Sequence, residues 1–114
     1  LPELKGKLDG IALRVPTLTG SVVDLTVELK KNVTVEEVNT SVKKAADETL
    51  AYTEDPIVSS DVIGSSYGCI FDALSTQIVE TEGKQLIKLI AWYDNEMSFT
   101  HQLLRVAKYW CSIK

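Results

Sequence analysis

The sequence predicts an α+β fold, a mainly antiparallel or mixed sheet with helices packed on one face. Several stretches alternate apolar and polar residues with the two-residue period of strands. Two others repeat their apolar residues at helical spacing. The order is strand, strand, helix, several strands, helix, without the strict alternation that builds an all-parallel sheet.

From the start of the chain, Ile11, Leu13 and Val15 share one face of a stretch ended by Pro16, with Ala12 and Arg14 on the other, which predicts a first strand. Val23, Leu25, Val27 and Leu29 alternate with Asp24, Thr26 and Glu28, which predicts a second, half-buried strand pairing antiparallel with the first. Thr34 and Glu37 have the spacing of a capping box, and Val33 with Val38 that of a hydrophobic staple. A helix is expected there, its stripe of Val38, Val42, Ala45 and Ala46 on the sheet and Lys43, Lys44 and Asp47 in water. The stretch from Tyr52 to Gly68 reads as loop with short extended pieces. Cys69 to Phe71 and Thr76 to Val79 read as two strands, 80–84 as a turn, and Gln85 to Tyr93 as a long strand covered on both faces. Beyond Asn95 the apolar residues Phe99, Leu103, Val106, Ala107 and Trp110 give the period of a closing helix.

At 114 residues, 45% hydrophobic and 25% charged, the composition is that of one globular core, with no internal repeat and no domain boundary. No apolar run nears the ~20 residues of a membrane span. The twelve Lys and Arg are scattered against a net charge of −4, which argues against a nucleic-acid surface. The expectation is a cytoplasmic protein without membrane or nucleic-acid partners. Cys69 and Cys111 are too few for a disulfide scaffold and lie in no metal-ligand pattern, so two reduced thiols and no metal are expected. The chain opens Leu1-Pro2-Glu3 without an initiator methionine, which leads us to expect a piece of a longer polypeptide.

No self-contained active site is expected. GxGxxG, P-loop, HExxH and GxSxG motifs are missing. Cys111 follows His101 by ten residues on one predicted helix, about 15 Å along its axis, too far to pair. Cys69 sits among apolar neighbours and reads as a buried structural thiol. Two positions stay open between structure and function. Arg14 is the lone charge of an apolar strand, either paired at a sheet edge or free to grip a carboxylate or phosphate with its planar fork. Asn95 stands where strand gives way to helix, either as a cap or as an amide that complements a carboxamide.

At these residues the chain resembles the C-terminal, catalytic-domain half of phosphorylating glyceraldehyde-3-phosphate dehydrogenases, over all 114 residues. Leu1-Pro2-Glu3-Leu4-Lys5-Gly6-Lys7-Leu8 is similar to the family's LPELNGKL, and Arg14-Val15-Pro16 to its RVP. Ser21-Val22-Val23-Asp24-Leu25-Thr26-Val27 is similar to its SVVDLTV. Tyr52-Thr53-Glu54-Asp55, Ser59-Ser60-Asp61 and Trp92-Tyr93-Asp94-Asn95-Glu96 complete the series in order.

The resemblance implies that residues 1–114 are the C-terminal part of the catalytic, substrate-binding domain. The NAD-binding Rossmann domain and the segment with the catalytic cysteine and histidine would lie outside. It implies a cytoplasmic, homotetrameric glycolytic parent that oxidises glyceraldehyde 3-phosphate with NAD and inorganic phosphate to 1,3-bisphosphoglycerate. Arg14 would bind phosphate and Asn95 the nicotinamide carboxamide, no catalytic residue would fall in the chain, and the 114 residues alone would be inactive. Met97-Ser98-Phe99 departs from the Trp-Gly-Tyr that many members carry there; lacking the phenol at Phe99, it keeps open an erythrose-4-phosphate dehydrogenase of the same family. A different class remains as well: a non-enzymatic remnant that uses the sheet to bind other proteins, and that would oligomerise through exposed apolar surface.

Overall fold

The computed structural model describes residues 1–113. Four strands form one mixed sheet: β1 (Ser21–Val27), β2 (Leu50–Thr53), β3 (Cys69–Thr81) and β4 (Lys84–Tyr93), in the spatial order β1-β4-β3-β2. β4 pairs antiparallel with both β1 and β3, whereas β2 runs parallel to β3. A parallel neighbour needs a long crossover. The stretch 54–68 supplies it, with a 3-10 turn at Ser59–Val62. β3 returns into β4 through Glu82 and Gly83, at φ 51° and 75°. Two consecutive left-handed residues match the twist of a tight hairpin, and Gly83 takes that conformation without strain.

β3 is a single strand where the alternation predicts two. Its pairing slips between Asp72, opposite Ile90, and Gln77, opposite Lys88. The Asp72 side chain holds the slip in place, accepting from the N–H of Leu74 and Ser75 at 3.1 and 3.2 Å, from the Ser75 hydroxyl at 2.7 Å, and from Trp92 Nε1 at 3.3 Å. These bonds satisfy backbone groups that the interrupted ladder leaves behind, which is how a buried carboxylate is tolerated there.

Helix α1 (Val35–Ala45) starts where the capping box predicts. Thr34 Oγ1 accepts from Glu37 N at 3.1 Å, and Glu37 Oε2 from Thr34 N at 2.7 Å. The helix lies over β2 and β3. Asn39 donates to the Ala73 carbonyl at 3.0 Å and accepts from the Thr76 hydroxyl at 2.7 Å, which ties the helix to the bulge. Lys43 is not simply solvated: it pairs with Glu54 at 2.9 Å and stands 5.0 Å from the Tyr52 ring, which stacks on Phe71. Phe71, Ala73, Ile87 and Val62 are the buried apolar residues.

Two expectations fail. Residues 10–16 form no strand and pair with no strand among the described residues; Ile11 is 89% exposed, and β1, whose one partner among them is β4, stands at the sheet edge. Alternation proposes a strand, but a strand persists only where a neighbour accepts its ladder and covers its apolar face. β4 is not covered on both sides: Ile87 is buried, residues 88–93 are half-buried, and Leu86 is exposed. The closing helix α2 (Asn95–Ser112) has the predicted period, yet Phe99, Leu103, Val106 and Trp110 are all exposed. Among the described residues no helix is long and apolar enough to cross a membrane.

Candidate functional site

The site is built where β4 runs into α2. The sequence leaves Asn95 open as the cap, but the cap is Asp94, and this frees Asn95. Asp94 Oδ1 accepts from the N–H of Glu96 and Met97 at 2.9 and 2.8 Å, and Oδ2 from Gly64 N at 2.8 Å. The residue is 3% exposed. The Gly64 N–H, then those of Met97 and Glu96, hold its carboxyl below the usual carboxylate range against the opposing effect of burial. One carboxylate therefore joins the end of β4, the first turn of α2 and the 59–64 turn.

Asn95, the first residue of α2, keeps its side chain for other uses. Its Oδ1 accepts from the Ser21 hydroxyl at 2.8 Å, and beside it Glu96 Oε2 accepts from the Thr19 hydroxyl at 2.9 Å. Two bonds thus clasp the lead-in of β1 to the first turn of the helix. Gly20, between the clasping residues, has φ 92°, and a Cβ there would stand 2.8 Å from the Ser59 carbonyl oxygen. Only glycine lets the backbone turn and press against Ser59 in this way.

Below the helix lies an open hollow of about 410 Å³, lined by Leu50, Cys69, Tyr93, Asn95, Ser98 and Phe99 among others. Leu50, Cys69 and Tyr93 share the sheet face that carries Tyr52 and Phe71, so both helices attend the same face. α2 is held across the hollow by Arg105, which donates to the Ser66 carbonyl at 3.0 Å and to Gln102 at 2.9 Å. Gln102 in turn crowds Gly68, where a Cβ would meet its Nε2 at 2.9 Å. Ser98 Oγ is buried without a hydrogen-bond partner among the described residues, an unused polar group at the wall. Burial pushes the Cys69 thiol up, which keeps it protonated and a poor nucleophile.

The positions singled out in the sequence are not gathered together. Asn95 lies on the rim of the hollow. Arg14 lies in the exposed, irregular stretch before β1, neither paired at a sheet edge nor bonded to Asn95 among the described residues. Cys111 is exposed and His101 half-buried on α2. Sequence reasoning missed Ser21 and Thr19, because their partners are 74 and 77 residues away. It also missed the cap at Asp94, although an Asp directly before a helical period is a legible signal.

Comparison with known proteins identifies the family of the chain. Residues 1–95 match the family described as "Glyceraldehyde 3-phosphate dehydrogenase, C-terminal domain". The chain is 60% identical over 113 residues to the glyceraldehyde-3-phosphate dehydrogenase of Clostridium pasteurianum, covering 99% of this chain and 34% of that protein. It is 56% identical over 113 residues to the enzymes of Streptococcus pyogenes and Streptococcus dysgalactiae subsp. equisimilis, with the same coverage. The chain spans about a third of the length of these curated relatives. With its mixed sheet, its two helices and this match over most of its length, the chain belongs to the glyceraldehyde-3-phosphate dehydrogenase family, as C-terminal-domain sequence.

Proposed function

We propose that these residues are the C-terminal part of the catalytic domain of an NAD-dependent oxidoreductase. The whole enzyme would oxidise and phosphorylate glyceraldehyde 3-phosphate to 1,3-bisphosphoglycerate. The observation that carries the reading is the state of Asn95 within a chain of this family: its carbonyl is tied to Ser21, and its amide donors have no partner among the described residues. A free amide on the rim of an aromatic-walled hollow fits the carboxamide end of a nicotinamide, whose bound ring accepts the hydride. The fit extends to that end alone, since a Gly-rich dinucleotide fingerprint is missing from the 114 residues. Asn95 would orient the ring and α2 would back it.

Arg14 would hold a phosphate group with its fork, and the exposure of its stretch leaves the guanidinium free to do so. The protonated Cys69, and the ten residues of α2 that separate His101 from Cys111, support the view that the nucleophile is supplied by another part of the parent. The 114 residues alone would then be inactive. The sheet face opposite the helices, with Val22 47% exposed and Leu86 51% exposed, supports subunit contact in a homotetramer. A cytoplasmic location is proposed from the same family likeness.

Replacing Asn95 by Ala in the full-length parent should raise the NAD dissociation constant by about tenfold, a hydrogen-bond loss of ~1.4 kcal/mol. Unchanged NAD affinity would remove Asn95 from the coenzyme site. Replacing Arg14 by Lys should raise KM for phosphate and aldehyde, since an ammonium cannot reproduce the fork; unchanged constants would remove Arg14. A second substrate stays in view because Phe99, 68% exposed, offers no hydroxyl near Asn95. Comparing kcat/KM on glyceraldehyde 3-phosphate and erythrose 4-phosphate decides between them.

A further inference from the structure

We propose that Ser21 is a positioning residue for coenzyme binding, because its hydroxyl tethers one end of the Asn95 side chain and leaves the amide end presented. The inference rests on the reading of Asn95 as the carboxamide contact. Asn95 is exposed at the first helical position, and the 2.8 Å bond from Ser21 is the hydrogen bond that holds its side chain among the described residues. An untethered asparagine there would sample several rotamers, and binding would have to freeze them. Immobilising a side chain on binding costs about 0.5–1.5 kcal/mol, so a tether already in place tightens binding by about three- to tenfold.

The setting favours a fixed tether over a chance surface contact. Ser21 is the first residue of β1 and pairs with Tyr93, the last residue of β4, so the donor is anchored on one strand and the acceptor on the helix that starts two residues past Tyr93. Two positions earlier, Thr19 donates to Glu96 at 2.9 Å. A carboxylate only accepts, so the direction of that bond is fixed, and it holds the backbone that carries Ser21 against the helix. Gly20 packs the same backbone on Ser59. Ser21 and Asn95 therefore face each other from supports that are themselves braced.

The test uses the full-length parent, with the NAD dissociation constant measured by calorimetry beside steady-state kinetics. Ser21→Ala should raise the dissociation constant about three- to tenfold. KM for the aldehyde at saturating NAD should stay within about twofold, and the melting temperature should barely move. Ser21→Thr, which keeps the hydroxyl, should restore NAD affinity. In an Asn95→Ala background, Ser21→Ala should add less than about a twofold loss, because the group it positions is gone. An equal loss in both backgrounds would overturn the proposal. So would normal NAD affinity in Ser21→Ala while Asn95→Ala binds weakly; in that case the reading of Asn95 stands and the tether alone fails. Normal affinity in Asn95→Ala overturns both, which separates the two failures.

Discussion

The stretch around Arg14 and the junction around Asn95 carry the two residues proposed to hold ligands, and they are built in opposite ways. At the junction one buried carboxylate takes three backbone N–H groups, and two hydroxyls clasp the turn from the lead-in of the neighbouring strand. The stretch at 10–16 has the cleaner strand pattern and no partner strand among the described residues. Order here follows from where the hydrogen bonds can end. A helix start finds its acceptors within a few residues, whereas a strand must find a second strand, and alternation does not say whether one is at hand.

Hydrogen exchange should break this comparison most visibly. The amides of Gly64 and Met97, both bonded to Asp94, should exchange at least about a hundredfold more slowly than those of residues 11–15 in the 114-residue chain, an opening cost of ~3 kcal/mol. Comparable protection at both places would mean that the early stretch has found a partner. Replacing Asp94 by Ala should cost about 3 kcal/mol, since it removes a cap and strands buried donors; a loss under ~1 kcal/mol on denaturant melting would contradict the capping account.

The same residue should show in the pH dependence. Its folded carboxyl titrates below the ordinary carboxylate range, so its contribution is complete above about pH 4 and fades as pH falls through the lower, folded value. Replacing Asp94 by Asn should flatten that part of the acid limb. Gly20→Ala should cost about 2 kcal/mol, from a left-handed φ and contact with Ser59, and should be felt at Asn95 through Ser21. Thr34→Ala, which opens the capping box of α1, should cost about 1 kcal/mol. Smallest is the exposed Lys88–Asp24 pair, where Lys88→Met should change stability by less than ~0.5 kcal/mol.

Much of the scaffold was legible because its signals are short-range. Thr34 with Glu37 announces α1, the apolar run to Tyr93 announces β4, and the shift of period past Asn95 announces α2. β3 reads as two strands for a definable reason. From Asp72 to Gln77 it advances five residues while β4 retreats two, from Ile90 to Lys88, so three residues are surplus and the faces exchange across the slip. A single alternation cannot continue through an odd surplus. Asn95 was legible as a candidate through its place between strand and helix. The clasp from Ser21 and the orphaned Ser98 hydroxyl were not, since both depend on which distant segments meet.

Gly20 presses on Ser59, the turn that begins at Ser59 ends in the Gly64 N–H that Asp94 accepts, and Asn95, the next residue, receives Ser21, the neighbour of Gly20. The contacts close a circuit through three separate parts of the chain. Damage at any one joint is thereby felt at the other two, so the proposed grip on the coenzyme and the fit of a glycine against a remote carbonyl become a single inherited trait. Drift at either place would be corrected only by change at the other.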